Sequence, residues 1–178
     1  GIDLYGEVAG NIPGREYMNK KYGKYGWATG NLLSFVIGQG DVLVTPIQVV
    51  QMMNVIASRG NTHAPILNLN NSSNEFNLDL KSTTWNFLQE AIWNVVNHED
   101  GTGKLSRIEG VDIYGKTGTA QLCSNCGIDP HAWFAGLIEL KDGRSFSICV
   151  LIENGGKGSK ISTKIAKKIF NYILDENV

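Results

Sequence analysis

This chain has few cysteines, no long apolar run, no visible internal repeat and no excess of charge of either sign. Three cysteines in 178 residues are too few for a disulfide scaffold, and their odd number leaves at least one thiol unpaired within the chain. No stretch approaches the ~18 consecutive apolar residues of a membrane span, so none is expected within the numbered chain. Sixteen basic side chains against seventeen acidic ones leave a net charge of -1. That balance supplies no general field for a polyanion, and no nucleic-acid partner is expected. The chain opens Gly1-Ile2-Asp3-Leu4 with neither an initiator Met nor a charged-then-apolar leader, which suggests a piece of something longer.

A hydrophobic content of 42% argues against disorder and fits one globular domain. Glycine is plentiful, with 21 in all. Gly1, Gly6, Gly10, Gly14, Gly23, Gly26 and Gly30 crowd the start, and residues 1–44 show no sustained period, so they are expected to be irregular. Residues 45–100 read as the helical part. Thr45-Pro46-Ile47-Gln48 has the form of a capping box with proline at the first helical position. The residues that follow predict a largely buried helix over 46–58, closed by Arg59-Gly60. Asn68 to Asn77 is an asparagine-rich polar loop, and Trp85, Leu88, Ile92, Val95 and Val96 at helical spacing predict a second helix near 83–97. The Met52-Met53 pair and the two tryptophans Trp85 and Trp93 are read as core.

From 111 onward the pattern changes. Three short β-type runs, 111–121, 132–140 and 144–152, predict antiparallel strands. The last two are joined through Lys141-Asp142-Gly143, where Asp-Gly favours a tight hairpin. A final amphipathic helix over 158–174 is expected to lay Ile161, Ile165, Ile169, Phe170 and Ile173 on the sheet, with Lys160, Lys164, Lys167 and Lys168 forming a solvated face rather than a lipid-binding patch. The class is mixed α/β: a sheet of three strands covered by helices.

Gly103-Lys104 and Gly156-Lys157 both fail the phosphate-loop pattern, because neither has Ser or Thr after the lysine nor glycine at the required earlier position. No cofactor is expected. Lys116-Thr117-Gly118-Thr119 is the most informative run. On a strand, the period of two puts Thr117 and Thr119 on one face and Lys116 with Gly118 on the other. Two hydroxyls in register suit a carboxylate, a nearby lysine adds positive field, and glycine admits another backbone. Such a strand suits an extended, anionic, peptide-like substrate; an ordinary exposed strand with a solvated lysine is the alternative.

Lys116-Thr117-Gly118 is similar to the third element of the Ser-x-x-Lys, Ser-x-Asn, Lys-Thr-Gly signature of penicillin-binding proteins and serine β-lactamases. Gly1 to Glu7, Ile37-Gly38-Gln39-Gly40, Thr45-Pro46-Ile47-Gln48, Gly101-Thr102, Gly115 to Gln121 and His131-Ala132-Trp133-Phe134 resemble, in the same order, landmarks of class B penicillin-binding proteins. The form of the second and third blocks is most similar to the elongation-type branch. The resemblance implies the C-terminal part of one α/β (α+β) transpeptidase domain spanning 1–178, with residues 1–44 flanking the active site and 111–178 forming three strands and a helix. It also implies a peptidoglycan D,D-transpeptidase acting through a serine acyl-enzyme, with stem peptides as substrates, β-lactams as ligands and elongation-complex membrane proteins as partners. The parent would lie on the periplasmic side of the bacterial inner membrane, anchored by an N-terminal transmembrane helix outside this chain. Lys116 would orient the serine of the Ser-x-Asn element, Thr117 and Thr119 would hold the substrate carboxylate, the Thr119 N–H would be an oxyanion donor, and Gly118 would admit the substrate.

The departures from the pattern are equally specific. No serine here has lysine three positions later, so the nucleophile and its activating lysine are expected upstream. Ser72-Ser73-Asn74 spells Ser-x-Asn but falls after the landmark that should follow that element, and is read as a chance match. A β-lactam sensor, a β-lactamase of the same fold, or a non-catalytic peptide- or partner-binding module are the alternative readings. Cys123-x-x-Cys126 with His131 stands outside the family pattern. A disulfide, free thiols or a metal site with Cys149 as fourth ligand all remain open for it, and packing beside the strand is the simpler reading of His131.

Overall fold

The computed structural model describes residues 2–122 and 127–175. It divides into two compact units, one formed by Gly1–Glu7 with Pro46–Val178 and the other by Val8–Thr45.

The Val8–Thr45 unit departs from the sequence expectation. It holds two helices, α1 (Arg15–Tyr22) and α2 (Thr29–Val36), each of eight residues. Two turns are too short for apolar periodicity to stand out against the glycines on either side. The ends of the unit are joined where Asn11 and Leu43 exchange backbone hydrogen bonds of 2.7 and 2.8 Å. Asp41 fastens it further, accepting from Lys21 Nζ at 2.5 Å and from the Tyr22 hydroxyl at 2.7 Å. These two donors hold the Asp41 carboxyl below the usual carboxylate range.

In the larger unit, α3 (Pro46–Ala57) and α4 (Ser82–Asn97) form where predicted. The end of α3 is marked by Arg59 at φ 54° and Gly60 at φ 90°, with the Gly60 N–H reaching back to the Val55 carbonyl at 2.8 Å. Such a left-handed exit is the ordinary way to satisfy the last carbonyls of a helix. Gln89 of α4 donates to the Ile56 and Ala57 carbonyls and so couples the two helices. Between them lie two three-residue strands, β1 (Asn61–His63) and β2 (Glu75–Asn77), paired antiparallel. They were not legible in the asparagine-rich stretch. Ser73, the middle residue of the Ser-x-Asn look-alike, donates its hydroxyl to the Ala64 carbonyl and fastens the loop.

The main sheet has the order β3-β4-β5 and is antiparallel throughout. Its strands are β3 (Ile113–Ala120), β4 (His131–Glu139) and β5 (Ser145–Ile152). Gly143 at φ 88° makes the β4–β5 turn, as Asp-Gly predicts. Both faces are covered. On one, Phe134, Ile138 and Val150 pack with Phe170 and Ile173 of α5 (Ile161–Asp175). On the other, Ala135 and Leu137 pack with Met53 of α3 and Ile92 of α4. Gly115 and Gly136 face each other across β3 and β4. A Cβ on either would lie 2.5 Å from the Phe134 ring, so the glycine pair makes the notch that this fully buried side chain fills. Truncating Phe134 to Ala is expected to cost about 3–5 kcal/mol.

Burial within the helices differs in phase from the sequence reading. Met53 is buried while Met52 is exposed, and Trp85 is buried while Trp93 lies at the rim, where its Nε1 donates to Asp112 at 3.0 Å. α3 is therefore half-buried rather than largely buried. In α5 the buried stripe is Ser162, Thr163, Ala166, Phe170 and Ile173, with Ile161 and Ile169 at the edge. The small side chains at 162, 163 and 166 allow close approach to the sheet, which rotates the two isoleucines outward. Lys160, Lys164, Lys167 and Lys168 are exposed as expected.

Candidate active site

β3 carries Lys116, Thr117, Gly118 and Thr119, and it is an edge strand among the described residues, paired with β4 alone. α4 fixes where it starts, since Asn97 Nδ2 donates to the Ile113 carbonyl at 2.8 Å and Trp93 holds Asp112. Thr117 lies opposite Phe134, Gly118 opposite Trp133 and Thr119 opposite Ala132. Lys116 and Thr119 are exposed, and Thr117 is half-buried. Lys116 Nζ donates to the Thr117 carbonyl at 2.7 Å, so its ammonium lies against the backbone of its own strand.

The two threonines meet different neighbours. Thr117 Oγ1 is 2.8 Å from Thr102 Oγ1, a hydrogen bond from the loop after α4. The Gly158 N–H points at Thr119 Oγ1 over a long 3.5 Å. A Cβ on Gly118 would sit 3.1 Å from Trp133 Cβ, so crowding at Gly118 comes first from the neighbouring strand. The sequence does not mark Thr102 and Gly158 as neighbours of the two threonines. Gly101-Thr102 stands out only as a landmark, and nothing in the order of residues links Gly158 to a strand 39 positions earlier.

His131 opens β4, and its Nδ1 accepts the Asn154 N–H at 3.0 Å, which leaves the ring proton on Nε2. The imidazole thus fastens the end of β5 to the start of β4. Cys149 sits on β5 opposite Ala135, four positions from His131 and so about 13 Å along the strand. It cannot share a tetrahedral metal with His131, which removes it as the fourth ligand. Burial pushes its thiol up to about 11. Cys123 and Cys126 lie outside the described residues. Among the described residues no group of three or more His, Cys, Asp or Glu is placed to hold a metal.

Comparison with known proteins matches this arrangement to one family. The model of the penicillin-binding protein transpeptidase domain matches residues 1–171. The chain is 30% identical, over 202 aligned positions, to the peptidoglycan D,D-transpeptidase MrdA of Haemophilus influenzae, covering 100% of this chain and 31% of that protein. Among solved structures, the complex between penicillin-binding protein PBP2 and MreC from Helicobacter pylori superposes with a TM-score of 0.84 at 29% identity, covering 98% of this chain and 33% of that one. PBP2 of Pseudomonas aeruginosa in complex with WCK 5153 gives 0.79 at 27% identity, covering 97% and 40%. The chain spans about a third of the length of the curated relatives it matches. The family match extends over nearly the whole chain, and the chain belongs to the transpeptidase domain family of penicillin-binding proteins.

Proposed function

We propose that this chain is the C-terminal portion of an elongation-type peptidoglycan D,D-transpeptidase, and that β3 forms one wall of its acylation site. One observation carries the reading: Lys116, Thr117, Gly118 and Thr119 stand on a strand with one edge unpaired among the described residues. Every second residue of such an edge turns its N–H and C=O away from the sheet, and an extended peptide can add there as a further strand. The stem-peptide backbone lies along β3 with its terminal carboxylate on the hydroxyls of Thr117 and Thr119. Lys116 moves from the Thr117 carbonyl to orient the serine of the upstream Ser-x-Asn element and to add positive charge near the carboxylate. The Thr119 N–H stabilises the oxyanion.

The attacking serine and its lysine belong to the upstream part of the parent protein. Serine oxygen bonds to the penultimate D-Ala carbonyl carbon, the terminal D-Ala leaves with the proton the serine gave up, and the amine of a second stem peptide releases the acyl group. A β-lactam takes the place of the donor peptide. The periplasmic side of the inner membrane, an N-terminal anchor and partners among elongation-complex membrane proteins are part of the same proposal. The Helicobacter pylori PBP2 complex with MreC supports the last of these. No helix among the described residues is long and apolar enough to cross a membrane.

The test is incubation of the full-length protein, and of the 178-residue chain alone, with a fluorescent penicillin, followed by gel fluorescence and mass mapping. The full-length protein is expected to form a stoichiometric adduct on a serine upstream of residue 1, with lysine three positions after it, while the 178-residue chain stays unlabelled. No adduct on the full-length protein, or an adduct on a serine of this chain, contradicts the proposal.

A further inference from the structure

We infer that Thr102 is a positioning residue that sets the direction of the Thr117 hydroxyl proton, and through it the preference of the site for a carboxylate ligand. The inference rests on the reading of Thr117 as a carboxylate donor. The two Oγ1 atoms are 2.8 Å apart, and either is able to donate. A hydroxyl has one proton and two lone pairs. If Thr117 gives its proton to Thr102, it meets an incoming carboxylate with a lone pair and repels it. If Thr102 donates, Thr117 keeps its own proton for the ligand. A bound carboxylate selects the second arrangement, and the resulting chain of donors, Thr102 to Thr117 to carboxylate, strengthens each bond in it.

The loop is built to keep Thr102 at that spot. The Gly101 N–H bonds to the His98 carbonyl at 2.9 Å, and the Gly103 N–H to the Val95 carbonyl at 2.8 Å. A Cβ on Gly101 would lie 2.4 Å from the Val95 carbonyl oxygen, and one on Gly103 3.0 Å from it. The loop is thus pressed onto the last turn of α4 on both sides of Thr102. The buried Ser106 hydroxyl donates to the Gly103 carbonyl at 2.7 Å and anchors the far side. Thr102 itself is exposed, so its hydroxyl serves the neighbouring strand rather than the core.

The experiment measures acylation of the full-length protein by a fluorescent penicillin and by the methyl ester of the same compound, in wild type, Thr102→Val and Thr102→Ser. The readout is the ratio of acid to ester rates, in which the share of unfolded protein cancels. Thr102→Val is expected to lower that ratio about fivefold, as for loss of one neutral hydrogen bond. The change should fall on the half-saturating concentration rather than on the limiting rate. Thr102→Ser is expected to restore the ratio to within about twofold, because the hydroxyl returns. A wild-type ratio in Thr102→Val, or a lowered ratio that Thr102→Ser does not restore, overturns the role of Thr102. An unlabelled wild-type protein overturns the reading of the strand itself and is a separate outcome.

Discussion

Gly158 sits so close to Trp133 that a Cβ on it would lie 2.3 Å from the Trp133 carbonyl oxygen, and 2.2 Å from that of Gly118 on the neighbouring strand. Both contacts are with backbone, which cannot swing aside as a side chain does. Gly158→Ala is therefore expected to destabilise the fold by about 1–3 kcal/mol, the usual range for overpacking a close contact. It should also displace the strand pair that carries Gly118. Thermal melting with and without a β-lactam checks this, and an unchanged melting temperature would refute the close packing.

What the sequence made legible divides along physical lines. The three strands, the Asp-Gly hairpin and the helices α3, α4 and α5 were readable because each is either long or sharply punctuated. α1 and α2 were not, since two turns among glycines leave no period to measure. Faces were harder to read than elements. Periodicity shows that α5 is amphipathic, but only the sheet decides that the small side chains Ser162, Thr163 and Ala166 turn inward in place of Ile161 and Ile169. At the site, Lys116 to Thr119 stood out as a motif and its alternation followed from strand geometry. The Thr102 and Gly158 contacts join segments remote in sequence, and only the fold brings them to β3.

Ser162 is fully buried in α5, and its Oγ has no hydrogen-bond partner among the described residues. Removing an unsatisfied hydroxyl from such a position relieves its desolvation cost, at the small price of a vacated volume. Ser162→Ala is expected to leave stability unchanged or raise it by about 1 kcal/mol. Chemical denaturation compares the two proteins. A loss greater than about 1 kcal/mol would mean that the hydroxyl has a bonding role.

Asp3 accepts from the Leu67 N–H at 2.6 Å, the Asn68 N–H at 3.0 Å and Asn71 Nδ2 at 2.9 Å. The Leu67 amide first, then that of Asn68, holds its carboxyl below the usual range. Because the folded value lies below the unfolded one, near 3.9, this anchorage is complete above that pH and is lost as pH falls through the folded value. Hydrogen exchange at the Leu67 and Asn68 amides is expected to lose protection over that acid window in wild type. Asp3→Asn, which has no carboxylate to protonate, should show no such step. Equal acid profiles in the two proteins would show that the carboxylate is not the anchor.

Under the proposed function Lys116 is a residue of chemistry rather than of packing. Its side chain is exposed and its ammonium donates to the adjacent Thr117 carbonyl, so removing it takes little from the core, while under the proposed function a charged ligand and its transition state would lose a cation. The most direct test is the second-order rate of β-lactam acylation of the full-length protein with Lys116→Ala, measured alongside its melting curve. A fall of about a hundredfold or more is expected, in the range for losing one group that stabilises charge in the transition state, at a near-normal melting temperature. A wild-type acylation rate in that variant would contradict the proposed role of Lys116.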